Sequence, residues 1–208
     1  MKAVTAVSKP PTNMNASEHL RLFIAIRIPD AVKDEVEIAQ RELRALVPER
    51  AARWAGREQF HLTLKFLGDV EAQRFESLAE AVRSVAREFA PLRLRAEGIG
   101  FFPNAQCPRV VWVGIRDAEE RLERLQRAIE QGVRAFTREE PERAFAGHVT
   151  LGRFKGIRRA EAERLAALAA TAGGRFFGEW MAGEVQIMRS ELLPQGARHM
   201  LMVEAPLS

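Results

Sequence analysis

The sequence predicts an α+β fold of two packed sheet–helix lobes, and three observations carry that expectation. Apolar runs of strand length are intermixed with helical stripes along the whole chain. The order strand, helix, loop, strand occurs twice. Each occurrence closes on the same frame of His, apolar, Thr, apolar: His61-Leu62-Thr63-Leu64 and, 87 residues on, His148-Val149-Thr150-Leu151. With only four histidines in 208 residues, two of them in one frame is a duplication to be explained; no short-period array accompanies it.

Taken in order, residues 1–19 are small and polar. The one apolar patch, residues 3–7, is broken by Ser8-Lys9-Pro10-Pro11 and is too short for a secretory signal core. A flexible tail over 1–19 and a single bilobal domain over 20–208 are therefore expected, with Met14 an alternative start. Leu20–Ile28 (LRLFIAIRI) is rich in β-branched and aromatic residues and reads as a buried strand. Pro29-Asp30 ends it and opens a helix, with Asp30 the expected N-cap. Val32, Val36, Ala39, Leu43 and Leu46 recur at helical spacing until Pro48 stops them. Ala52–Ala55 is a short strand, and Phe60–Leu67 is the next, ended by Gly68-Asp69. Phe75–Phe89 carries a helical stripe closed by Pro91; Leu92–Ile99 alternates as a half-exposed strand, and 101–104 is a loop.

The second half repeats this grammar. Arg109–Ile115 is a strand, and Asp117 caps a helix lined by Leu122, Leu125, Ile129, Val133 and Phe136. Phe145–Phe154 is the second motif strand. Ala160–Ala170 is a helix ended by Gly173-Gly174. Phe176–Trp180, Glu184–Ser190 and His199–Glu204 are strands, the last two joined as a hairpin by Pro194-Gln195-Gly196. Trp54, Trp112 and Trp180 lie on apolar strands and are assigned to the core, while His19 and His199 lie outside the frames and are taken as surface residues.

Composition narrows the classes. No run of eighteen apolar residues exists, so no spanning helix is expected. The single cysteine, Cys107, builds neither a disulfide framework nor a Cys-rich metal site, and the default compartment is a reducing cytoplasm. A net charge of +4 permits a nucleic-acid or nucleotide partner without requiring one.

In a strand, residues two apart share a face. His61, Thr63 and Lys65 are thus expected on one face, and Leu62, Leu64 and Phe66 on the other. His148 and Thr150 share a face, and strict alternation sends Arg153 to the opposite one unless a bulge intervenes. A metal site fits poorly: Thr is a weak ligand, and no Asp or Glu stands in either frame. A Ser-His-Asp arrangement lacks its third member. Acid–base chemistry on a phosphate fits better. One imidazole accepts a proton from water, the other donates to the leaving oxygen, and the Thr hydroxyls donate to phosphoryl oxygens. No metal and no cofactor are implied.

The paired frames resemble the two HxTx signatures of the 2H phosphoesterase superfamily. The segments RLFIAI at 21–26, HLTLKFLG at 61–68 and GHVTLGRF at 147–154, with Ser190-Glu191-Leu192, resemble the RNA 2′,3′-cyclic phosphodiesterases, also described as 2′-5′ RNA ligases. That resemblance spans residues 20–205. It implies a bilobal fold of two antiparallel-rich sheets with outer helices, pseudo-two-fold symmetric about a central cleft. It implies metal-independent hydrolysis of RNA 2′,3′-cyclic phosphate ends to 2′-phosphates; weak 2′-5′ ligation in reverse and a monomeric state are further expectations. In it His61 is the proton donor, His148 the acceptor, Thr63 and Thr150 hold the phosphate, and Arg153 contacts substrate. Lys65, by parity, and Phe60, placed to stack a base, are further substrate-contact candidates. Many relatives carry Pro before the second His; Gly147 stands here and is expected to loosen the backbone. Cleavage of 2′-5′ oligonucleotides or small cyclic nucleotides is the alternative activity. A non-catalytic RNA- or nucleotide-binding module is the alternative class; the two histidines argue against it.

Overall fold

The computed structural model describes residues 18–141, 144–193 and 196–208. In chain order its elements are β1 (His19–Arg27), α1 (Asp30–Arg44), β2 (Ala52–Trp54), β3 (His61–Glu71), α2 (Phe75–Ala86), β4 (Leu92–Phe102), β5 (Val110–Arg116), α3 (Arg121–Gly132), β6 (His148–Phe154), α4 (Arg159–Thr171), β7 (Phe176–Ala182), β8 (Glu184–Leu193) and β9 (Gly196–Pro206).

The strands form two antiparallel sheets, ordered β3-β1-β8-β9 and β2-β6-β5-β4-β7. The duplication is visible in that order. β1 lies beside β3 as β5 lies beside β6, and each half sends a later strand into the other sheet: β4 pairs with β5, and β8 with β1. Exchange of strands relates the two lobes by a pseudo-two-fold and ties them into one continuous apolar core.

Helices cover one face of each sheet. α2 packs on β8, β9 and α3, and α3 packs on β3; α1 packs on β7 and α4 on β4. Burial follows the stripes: α1 inserts Val32, Val36, Ala39 and Leu43, and α2 inserts Phe75, Leu78, Ala79 and Val82. Among the described residues, no helix packs on the other face of either sheet. Gln59 Nε2, just before β3, donates to the Ala197 carbonyl on β9 over 2.8 Å, and β3 touches β6, so the two motif strands meet where the lobes meet.

Several expectations need adjustment. Asp30 is the first helical residue, not the N-cap; Pro29 holds that position, and the Asp30 carboxylate pairs with Arg57 at 3.3 Å. Glu120 holds the N-cap position of α3, but the Asp117 carboxylate, three residues earlier, accepts from the amides of Arg121 at 2.6 Å and Leu122 at 2.9 Å and so serves the helix start. β3 does not end at Gly68. Leu22 faces Gly68 while Phe23 faces Phe66, so Leu67 is an extra residue, and Gly68 at φ 68 absorbs the distortion that a Cβ would resist. β4 likewise runs on to Phe102, through residues read as loop. Residues 1–17 of the expected tail, Met14 among them, and the turn residues Pro194 and Gln195 lie outside the described residues, while His19, the tail's expected last residue, opens β1.

Candidate active site

Both HxTx strands carry a bulge at the same place. In β3, His61, Leu62 and Thr63 face Arg27, Ile26 and Ala25, but Lys65 faces Ile24, leaving Leu64 unpaired. In β6, His148, Val149 and Thr150 face Gly114, Val113 and Trp112, but Gly152 faces Val111, leaving Leu151 unpaired. One extra residue reverses the alternation beyond it. Arg153 therefore comes out on the face of His148 and Thr150, and it is exposed. By the same 87-residue offset its counterpart in the first half is Phe66, not Lys65.

Two expected substrate contacts are corrected by this geometry. Lys65 turns inward after the bulge and is 2% exposed. It forms an ion pair with Glu130 of α3 and donates to the Glu140 carbonyl at 3.0 Å. Phe60 is also 2% exposed: the single turn Arg57–Gln59 delivers it into the core rather than to a surface where a base could stack. The exposed aromatic here is Phe66, at 52%, which parity alone had sent to the apolar back.

Each bulge is held from behind by a buried glutamine. Gln126 of α3 donates through Nε2 to the Leu64 carbonyl at 3.3 Å. Gln40 of α1 donates through Nε2 to the Leu151 carbonyl at 2.9 Å and to the Ala55 carbonyl at 2.7 Å. These contacts account for two polar side chains among apolar neighbours. Nothing in the sequence marks the pair as equivalent, since each lies on a helix mid-stripe.

The His61 ring packs 4.8 Å from Phe23 and 5.1 Å from His199, with Phe66 a further 5.9 Å from Phe23 (centroid distances). Burial, with the repulsion a protonated ring would meet from His199, Lys33 and His148, pushes the His61 imidazole down to about 3. His199, read from sequence as a surface residue, is a half-buried member of this group. Its pKa is lowered by burial, and its Nδ1 has no hydrogen-bond partner among the described residues. Only strand order brings it here, through β9 pairing Ser190 with His199, so no local signal could have found it.

On the other sheet, the His148 ring lies 5.0 Å from Phe102 and 6.2 Å from Trp112. His148 Nδ1 is 2.7 Å from the Ala146 carbonyl. A carbonyl only accepts, so Nδ1 carries the proton and Nε2 the free lone pair in the neutral ring. Trp112 is not a core residue, as read from sequence, but faces the same side as its partner Thr150. Its ring lies across Gly100, where a Cβ would stand 2.2 Å from it. Gly147 does not loosen the entry to β6: it accepts from the Ile115 amide at 2.8 Å, and a Cβ there would meet the Ile115 carbonyl at 2.8 Å. Thr63 and Thr150 are half-buried, and their hydroxyls have no hydrogen-bond partner among the described residues.

Two imidazoles, two unengaged hydroxyls and an exposed guanidinium thus line the helix-free faces. Among the described residues no three His, Cys, Asp or Glu side chains stand close enough to hold a metal ion. No described helix is long and apolar enough to cross a membrane.

Known proteins resemble this chain in sequence and fold. RNA 2′,3′-cyclic phosphodiesterase of Methanothermobacter thermautotrophicus is 33% identical over 178 residues, covering 85% of this chain and 93% of the relative. The enzyme of the same description from Thermus thermophilus is 34% identical over 184 residues, covering 85% of each. The crystal structure of TT0787 from Thermus thermophilus superposes with a TM-score of 0.73 at 29% identity, over 90% of this chain and 98% of that one. Escherichia coli LigT complexed with 3′-AMP has the same fold, with a TM-score of 0.71 at 22% identity over 92% and 99%. The model of LigT-like phosphoesterases matches this chain twice, over residues 26–112 and 113–199. Those two matches are offset by the same 87 residues as the two histidine frames, and on them the chain belongs to the LigT-like phosphoesterase family.

Proposed function

We propose that this protein hydrolyses 2′,3′-cyclic phosphate ends of RNA to 2′-phosphates by paired-histidine acid–base catalysis, needing no metal. The observation that carries the reading is the matched geometry of the two frames: His61 with Thr63 on one sheet, His148 with Thr150 on the other, each followed by a bulge at the next residue. The relatives' descriptions as RNA 2′,3′-cyclic phosphodiesterases support the substrate class.

In this mechanism water attacks phosphorus, and His148 Nε2, left with its lone pair by the Ala146 contact, takes the proton. The P–O3′ bond breaks, and His61 gives its proton to the departing 3′ oxygen. Thr63 and Thr150 donate to the non-bridging oxygens, where negative charge grows. Arg153 offers a fork for the same anion. His61 is neutral in the empty cleft, so the donor role requires that the substrate's phosphate raise its proton affinity, as an anion at close range does. With a 5′-hydroxyl in place of water as the nucleophile, the same steps break P–O3′ and join the cyclic end to it as a 2′-5′ link, a weak second activity. One observation favours exchanged roles. Burial holds His61 in the unprotonated form an acceptor needs.

Turnover of a 2′,3′-cyclic nucleotide in EDTA across a range of pH tests the proposal. Turnover with a bell-shaped kcat/KM is expected. Activity lost on chelation and restored by a metal would overturn the metal-free mechanism, and no turnover would favour a binding module.

A further inference from the structure

We infer that Arg53 is a specificity-determining residue that binds a phosphate on the 5′ oxygen of the terminal nucleotide, beyond the reacting phosphate. The inference rests on the phosphodiesterase reading and extends it to a second anion site. β2, the edge strand, pairs Ala52, Arg53 and Trp54 with Phe154, Arg153 and Gly152 of β6. Cross-strand partners share a face. Trp54 lies against Gly152 on the helix-covered side, where a Cβ on Gly152 would stand 2.7 Å from the indole. Arg53 is therefore on the cleft side, next to Arg153 and one strand farther out. Its guanidinium reaches across to the other lobe, 3.2 Å from where a Cβ on Gly196 would stand at the start of β9.

Two like charges directly opposite on neighbouring strands destabilise a sheet. Some arginines of this chain are neutralised, as Arg57, Arg93, Arg95, Arg127, Arg159 and Arg175 each pair with a carboxylate; what sets Arg53 and Arg153 apart is that they stand directly opposite each other without one. Among the described residues no carboxylate pairs with Arg53 or Arg153, and both are exposed. An uncompensated pair at a cleft mouth fits a ligand that brings its own negative charge. Arg153, on the strand of Thr150, is nearer the reacting phosphate; Arg53, at the sheet edge, meets the next anion outward. On a nucleotide with a 2′,3′-cyclic phosphate, that anion sits on the 5′ oxygen. It is either the next link of an RNA chain or a free 5′-phosphate.

The test compares kcat/KM for a 2′,3′-cyclic mononucleotide, the same nucleotide with a 5′-phosphate, and a dinucleotide ending in the cyclic phosphate. Wild type should prefer the last two, and the larger preference names the source of the phosphate. In Arg53→Ala that preference should fall about tenfold, the loss of one charge-assisted contact, and Arg53→Lys should restore part of it. A structural role would lower all three rates together and leave their ratios unchanged, which would overturn the inference. Calorimetric binding of uridine 2′-phosphate with and without a 5′-phosphate reads the same subsite without turnover. If the added phosphate gives wild type no gain in affinity, Arg53 has no such role. If binding gains but no cyclic substrate turns over, it is the phosphodiesterase reading that fails.

Discussion

Gln40 donates to the carbonyl of Leu151 over 2.9 Å, from a helix packed behind the sheet to the one residue of β6 left out of its ladder. Gln126 repeats the contact at Leu64. The glutamines tie each bulge to the outer helix layer, and each bulge decides what faces substrate beyond the threonine. Replacing Gln40 by Leu keeps the volume but takes the side-chain donor from the Ala55 carbonyl and leaves the Leu151 carbonyl only the Ala55 amide at 2.9 Å, a loss of about 1–3 kcal/mol. Denaturant unfolding should show it, together with a higher KM as Arg153 loses its fixed direction. An unchanged midpoint and KM would mean the bulge holds without the glutamine.

Lys65 gives the opposite pattern. Its ammonium is buried against Glu130, so Lys65→Met leaves a largely buried carboxylate behind. A destabilisation of about 3–5 kcal/mol is expected, with KM unchanged in the protein that remains folded. A stable variant with raised KM would return Lys65 to the substrate site.

Phe66 is half exposed on the cleft face beside Phe23. Phe66→Ala should leave the unfolding midpoint nearly unchanged while raising KM for nucleotide substrates, since stacking a base on an aromatic is worth about 1–3 kcal/mol. Equal KM values for the two proteins would show that no base rests there.

The pH dependence of stability has a defined sign. The folded value for His61, about 3, lies below that of a free imidazole, about 6.5. Its contribution is therefore full above about pH 6.5 and is lost as pH falls from there toward 3. His199 shifts in the same direction. Unfolding free energies measured between pH 7 and 4 should fall less steeply in His61→Gln than in wild type. Parallel curves would mean that His61 is not buried in its neutral form.

Much of this could be read from the sequence, and the failures share a cause. Period and punctuation located the strands and helices, and the repeated frame located His61, Thr63, His148 and Thr150 on facing strands. Period-two reasoning then misplaced Lys65 and Phe66 and doubted Arg153, because a bulge is one residue long and leaves no periodic trace. Phe60 failed for a related reason, since its side chain follows the turn before β3 rather than the strand. His199 and Trp112 were missed because their place depends on which strands become neighbours: β9 beside β8 in one sheet, β5 beside β6 in the other.

The histidine pair should behave as a unit. His61→Ala and His148→Ala should each lower kcat by at least about 10²-fold, and the double variant should lose little more than the worse single one. Strictly additive losses would point to independent roles.

If the two histidines open a 2′,3′-cyclic phosphate at its 3′ oxygen, the product itself carries the proof. An oligoribonucleotide of defined sequence and cyclic end, incubated with the protein in EDTA, should leave a terminus that can be identified chemically. A 2′-phosphate is the expected end. A 3′-phosphate, or a cyclic end left intact, would contradict it.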